Sequence, residues 1–212
     1  MALTIRSVAS YNTHKEYSVD FFGNDLFVTV TPTTSVIRRW INAAVFYHRR
    51  WHRHRPLVVG VGVQWTPFGY YDPPADTLQL CVGKRCIIIQ LSHCGHVPQI
   101  LRRFLADPQT TFVGVWNYQD ARKLWQSGHG LGIAELLDIR HYVVNSEGRS
   151  MRTFSFEHIV EGCLGFRGVR LDPGISMSDW SVDDLSHAQI LQASVDAYVC
   201  CKLGVLGRLW EV

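Results

Sequence analysis

Eight residues, Val58-Val59-Gly60-Val61-Gly62-Val63-Gln64-Trp65, constrain the fold more than any other stretch. The run is apolar and rich in β-branched Val. Pro56 precedes it and Thr66-Pro67 follows it. A segment of this length and composition reads as a strand covered on both faces. Such a strand needs packed layers above and below it. The two glycines are anomalous, because a glycine weakens a strand and gives it nothing to pack. It marks either a close approach of another backbone or a place where a side chain is missing.

The rest of the chain can supply those layers. Hydrophobic residues make up 47% of the 212 and charged residues 18%, which excludes a disordered chain. The net charge of +3 is compatible with nucleic acid without requiring it. No apolar run approaches the ~18 residues of a membrane span. The first six residues, Met1-Ala2-Leu3-Thr4-Ile5-Arg6, lack the apolar core of a secretory signal. Cys81, Cys86, Cys94, Cys163, Cys200 and Cys201 form no Cys-x-x-Cys pair and lie in or beside apolar runs. They read as buried free thiols. His93, Cys94 and His96 are the one alternative, a poor zinc set without a second pair.

Residues 17–22 and 26–31 alternate apolar and polar side chains around Gly23-Asn24-Asp25, which predicts a β-hairpin. Val36, Ile37, Trp40, Ile41, Ala44 and Val45 then recur at helical spacing behind Thr33-Thr34-Ser35. Residues 68–75 read as a loop. Residues 77–82 and 86–91 flank a Gly83-Lys84-Arg85 turn and, with 58–65, predict a three-stranded antiparallel meander. Helix 98–105, strand 111–116, helix 119–125 and a short strand or turn at 135–139 follow. After them come a helix from Ser155 to Leu164, an irregular connection over 167–179, and a long helix from Ser186. That last helix presents Ile190, Leu191, Ala193, Ser194, Ala197, Tyr198 and Cys201 as its apolar face. No linker parts two domains. The chain reads as one unit over 1–212, with a hairpin–helix extension (1–55) on a core (56–204).

The dense basic cluster is Tyr47-His48-Arg49-Arg50-Trp51-His52-Arg53-His54-Arg55. Arg49, Arg50, Arg53 and Arg55 can neutralise phosphates, and Trp51 can stack on bases. The competing reading is a solvated helix end, where cations suit the helix dipole.

Five stretches, in this order, carry a resemblance. Val59-Gly60-Val61-Gly62-Val63-Gln64-Trp65 is similar to a strand ending in Asp-x-Glu-Trp. Leu78-Gln79-Leu80-Cys81-Val82-Gly83 is the second. Phe112-Val113-Gly114-Val115, followed by Asp120 and Lys123-Leu124, is the third. Ser178-Asp179-Trp180 with Leu185-Ser186 and Gln189 is the fourth, and Val195-Asp196-Ala197-Tyr198 the last. Over residues 58–204 they resemble the DnaQ-type 3′-5′ exonucleases. The likeness is nearest to the Werner-syndrome-like branch found in plants, and within it to the RISC-interacting clearing 3′-5′ exoribonucleases. The resemblance implies an α/β fold, a ribonuclease-H-like mixed sheet flanked by helices, with an N-terminal hairpin and helix. It also implies action on single-stranded RNA, association with Argonaute, and a homo-oligomeric ring such as a hexamer. The implied location is cytoplasmic, with the nucleus second, and no membrane is involved.

Members of that family hold two Mg²⁺ or Mn²⁺ ions on four carboxylates. The ions activate a water and stabilise the leaving oxygen. Carried over by position, the first-motif Asp falls on Gly62 and the Glu on Gln64. The second-motif Asp falls on Asp120 and the third on Asp196. The Tyr that orients the water falls on Gln192. The resemblance therefore gives Asp120 and Asp196 catalytic and metal-binding roles, with Gln64 as a neutral third ligand. What remains suits a weak single-ion site. A two-ion site needs another acid, from Asp72, Asp76, Asp138 or a neighbouring subunit. Without the family, Asp120 reads as an acid at a helix N-terminus and Asp196 as a solvent-facing one. Two functions stay open: a metal-dependent exoribonuclease, or a nuclease-fold module that binds RNA or Argonaute without cleaving.

Overall fold

β4 (Leu57–Gln64) runs through the middle of the molecule, with every residue buried up to Val63 and Gln64 half-buried. The computed structural model describes residues 3–51, 55–67 and 72–212. His52, Arg53, His54 and the first part of the expected 68–75 loop lie outside them, as does the side chain of Trp51. The other strands are β1 (Thr4–Ser10), β2 (Lys15–Phe21), β3 (Asn24–Thr31), β5 (Thr77–Val82), β6 (Arg85–Gln90), β7 (Thr110–Gly114) and β8 (Leu136–Asp138). They form one mixed sheet in the order β1-β2-β3-β6-β5-β4-β7-β8. The expected antiparallel meander is present as β4-β5-β6, and β7 pairs with β4 in parallel.

Side chains alternate across β4. Leu57, Val59, Val61 and Val63 join Ile37 and Trp40 of α1 (Thr34–Trp51) and Leu101 and Phe104 of α2 (Gln99–Leu105) in one core. α3 (Asp120–Gln126) adds Leu124 to that layer. Val58 faces the second core, under α4 (Phe156–Leu164) and α6 (His187–Leu206), where Trp180 is wholly buried. α6 is sealed at its start by a capping box between Ser186 and Gln189. It lies so close to the sheet that a Cβ on Gly60 would come 1.8 Å from the carbonyl oxygen of Ala197. Gly204 makes the matching concession, with Val58 and Val113 at 2.9 Å from its would-be Cβ. Hence α6 is buried nearly all round, from Gln192 through Cys201, rather than on one face.

Three features differ from the expectation: β1, the end of β7 and a short helix in the irregular connection. β1 was not anticipated: its residues are largely exposed, and pairing with β2 rather than apolar pattern holds it. The N-terminal hairpin joins the core sheet, because β3 pairs in parallel with β6. The strand expected to reach Trp116 ends at Gly114. The irregular connection contains a short helix, α5 (Pro173–Ser176), capped by Asp172. All six cysteines are unpaired, five of them buried. The thiol of Cys94 donates to the His96 carbonyl, and His93 contacts the Ser181 carbonyl oxygen, so the zinc alternative has no site. Among the described residues no helix is long and apolar enough to cross a membrane.

Candidate functional site

Three segments far apart in sequence converge beside the C-terminal half of β4. Asp196 of α6 lies over Gly62, its Oδ2 3.4 Å from the point where a Cβ on Gly62 would stand. Asp120 is the first residue of α3, and both acids are buried. The solvent-facing reading of Asp196 is therefore overturned: α6 lies flat on the glycines and folds its mid-helix acid inward. Burial pushes the Asp196 carboxyl up to about 7, against a contact from the Cys200 thiol that lowers it. Burial likewise pushes Asp120 well above the ordinary carboxylate range, and the charges of Asp196 and Asp138 push it the same way.

The space that Gly62 leaves is not empty. Gln79 faces Gly62 across the β4–β5 ladder, and its Oε1 lies 2.8 Å from the would-be Cβ. Its amide nitrogen donates to Thr77 Oγ1 at 2.6 Å, while Oε1 is buried without a hydrogen-bond partner. Gln192 is buried too. It accepts from the Asp172 N–H at 2.7 Å and donates to the Asp172 carbonyl and to Ser176 Oγ. It ties α5 to α6 and has no donor left to orient a water.

The reserve acids are all engaged. Asp138 sits in a fork of Arg140, with Nη2 at 2.6 Å and Nε at 3.0 Å. Asp72 is held by Lys123, Gln126 and Arg122, which keep its carboxyl down at about 2. Asp76 accepts from the Thr66 N–H and hydroxyl at 2.7 Å and from Ser92. Hard divalent ions take oxygen ligands and are held more tightly as the number of charged ones rises. Here one ligand position has no side chain, one is a neutral amide, two acids are buried with raised carboxyl titration, and Asp138 is paired with an arginine. Among the described residues no group of three His, Cys, Asp or Glu could hold a metal. The residues present do not fit a two-ion centre. A single ion would find only two charged ligands, Asp120 and Asp196, with Gln64 as a neutral third.

The loop from β7 to α3 carries residues that the sequence reading passed over. Trp116 adopts a left-handed backbone, φ +54°, and is 47% exposed. That conformation costs a bulky residue on the order of 1–3 kcal/mol. The Arg140 guanidinium lies 3.6 Å over its ring. Tyr118 is exposed, and between the two the buried Asn117 donates to the Leu137 carbonyl at 3.0 Å. The available signal was Trp-Asn-Tyr-Gln directly before the acid, which reads as a turn rather than a strand end.

The basic cluster lies elsewhere. Arg49 and Arg50 are exposed in the last turn of α1, and Arg55 is exposed just before β4 begins. Gly62 and Gln64 lie toward the other end of that strand, roughly 20 Å away at 3.3 Å per residue. A cavity of ≈ 410 Å³ opens beside the basic end, lined by Tyr47, Arg55, Lys84, Arg85 and Trp210 among others. The structure thus brings Asp196 over Gly62 with Asp120 close enough to feel its charge, leaves Gln64 two residues along the same strand, and keeps the arginines apart from them.

A mixed sheet of this order, with buried acids from α3 and α6 meeting over its central strand, defines a ribonuclease-H-like nuclease fold. The chain belongs to the 3′-5′ exonuclease family, whose sequence profile matches residues 52–206. It is 29% identical over 164 residues to the mouse bifunctional 3′-5′ exonuclease/ATP-dependent helicase WRN, covering 73% of this chain and 11% of that protein. The fold matches the catalytic core of RRP6 from Trypanosoma brucei, with a TM-score of 0.64 and 16% identity over 87% of this chain and 46% of that one. It also matches Escherichia coli RNase D, an exoribonuclease involved in structured RNA processing, with a TM-score of 0.62 and 21% identity over 85% of this chain and 45% of that one. The chain spans between 11% and 47% of the full length of the curated relatives it matches.

Proposed function

We propose that this chain uses the exonuclease fold to hold the 3′ end of single-stranded RNA, with two-ion hydrolysis disabled. One observation carries this reading: the side chain of Gln79 fills the space where the first-motif acid would stand. The site keeps two of the exonuclease acids, Asp120 and Asp196, beside the central strand and lacks the charge that holds two ions. The exposed arginines at the end of α1 supply a second, separate surface for phosphates. The likeness to the RISC-interacting subgroup supports a place beside Argonaute in small-RNA clearance, in the cytoplasm, as a homo-oligomer.

A second reading rests on the convergence of Asp120 and Asp196. In it the chain is a slow exoribonuclease, dependent on Mg²⁺ or Mn²⁺, whose missing acid comes from a neighbouring subunit. The two are separated by incubating 5′-labelled single-stranded RNA with the protein and Mn²⁺. The expected result is a retained complex with RNA of unchanged length. Shortening that EDTA stops, and that Asp120→Ala and Asp196→Ala both abolish, would reject the first reading and establish the second.

A further inference from the structure

Trp116 and Tyr118 lie at the C-terminal end of β7, where open α/β sheets bind their ligands. The backbone at Trp116 is one that bulky residues avoid. A residue needed only to turn the chain would be Gly or Asn. Core packing does not explain the tryptophan either, since almost half of it is open. Strain of this kind persists where the surroundings fix it, and such places cluster at binding sites.

The surroundings here are explicit. Asn117 is buried and bonded to the Leu137 carbonyl, and its own carbonyl accepts the Asp120 N–H at 3.0 Å. Arg140 braces the indole from one side at 3.6 Å. Arg140 is itself clamped by both oxygens of Asp138, with only 13% of its side chain exposed. Its charge is therefore matched and not offered to a phosphate. Tyr118 is 79% exposed, its hydroxyl accepting from Gln119. Two open aromatics thus stand on a pinned loop that leads directly into Asp120. Aromatic faces suit unpaired bases of any sequence, and a cation against the ring adds to the stacking.

We propose that Trp116, braced by Arg140, and Tyr118 form a shelf on which unpaired bases near the 3′ end of an RNA strand stack, on the loop that leads to Asp120. This rests on the RNA-holding reading above and names the subsite that does it.

The test uses the full chain and two fluorescent RNA decamers, one normal and one abasic in its last three nucleotides. Anisotropy should show Trp116→Ala binding the normal decamer about tenfold more weakly than wild type, Tyr118→Ala a few-fold more weakly, and Trp116→Phe close to wild type. The abasic decamer should bind wild type and Trp116→Ala alike. Equal affinity of wild type and Trp116→Ala for the normal decamer overturns the shelf alone, and so does an equal loss on both decamers. A wild type that binds neither decamer defeats the RNA-holding reading and the shelf with it. Self-association lost in Trp116→Ala with RNA affinity unchanged would assign the aromatics to a contact between copies, which also overturns it.

Discussion

Gln79 stands opposite Gly62 across the β4–β5 ladder, its amide oxygen 2.8 Å from where the side chain of residue 62 would begin. The absence of an acid at one position is thus matched by a bulky amide at its partner. Restoring Gly62→Asp and Gln64→Glu together would drive the new aspartate into Gln79. Adding Gln79→Ala should release it. The triple variant is expected to shorten 5′-labelled RNA in Mn²⁺ at least about a hundredfold faster than the double variant, the scale on which transition-state charge stabilisation acts. Equal rates in single-turnover assays would show that Gln79 is no obstacle.

The two glycines of β4 differ in what surrounds them. At Gly60 an added Cβ meets the backbone of α6, 1.8 Å from the Ala197 oxygen and 2.7 Å from the Cys201 nitrogen. The helix would have to lift, so Gly60→Ala should cost about 3 kcal/mol or prevent folding. At Gly62 the nearest atom is the tip of the Gln79 side chain, which yields to a single methyl group more readily than a helix backbone does, though not to a whole carboxylate. Gly62→Ala should stay within about 1 kcal/mol of wild type. Urea unfolding of the two variants checks the difference, and similar costs would contradict it.

Asp196 predicts an inverted pH dependence of stability. Its carboxyl titrates at about 7 when folded, against 3.8 ordinarily. Between these values the folded state binds more protons than the unfolded one. Stability therefore falls as pH rises from about 4 to about 7 and levels off above. The raised Asp120 acts in the same direction. For Asp196 alone the loss is on the order of 4 kcal/mol at pH 8. Asp196→Asn should be more stable than wild type at pH 8 and nearly equal to it at pH 4.5. Thermal unfolding at the two pH values measures this, and parallel curves for the two proteins would refute it.

The sequence was most legible where one physical cause acts locally. Ser155 and Ser186 cap their helices as their spacing predicts, and Gly165 ends α4 with φ +75°. The Val-rich run is buried as its composition requires. The glycines posed a choice between close approach and a missing side chain; Gly60 is a close approach of α6, and at Gly62 the space is taken by the Gln79 side chain. Tertiary placement was less legible. β1 is polar and joins the sheet by pairing, which no periodicity announces. Asp196 reads as exposed because its burial depends on the depth at which α6 lies, a property of residues more than a hundred positions away. Gln79 looked like an ordinary strand residue because its significance arises only through register with Gly62.

Trp116 allows a last prediction about the conflict between stability and binding. At φ +54° alanine retains the steric penalty of a Cβ, whereas glycine does not. Both substitutions remove the indole that Arg140 covers, a contact of about 0.5–1 kcal/mol at an exposed site. The two variants therefore differ by backbone strain, offset in part by the greater freedom of glycine in the unfolded chain. Trp116→Gly should be more stable than Trp116→Ala by about 1 kcal/mol. In an ordinary conformation the order would be reversed. RNA affinity should be equally low in both, because neither has a ring to stack on. Urea midpoints that rank alanine above glycine would mean that the loop is not held in the left-handed conformation, removing the reason to treat Trp116 as more than a surface residue.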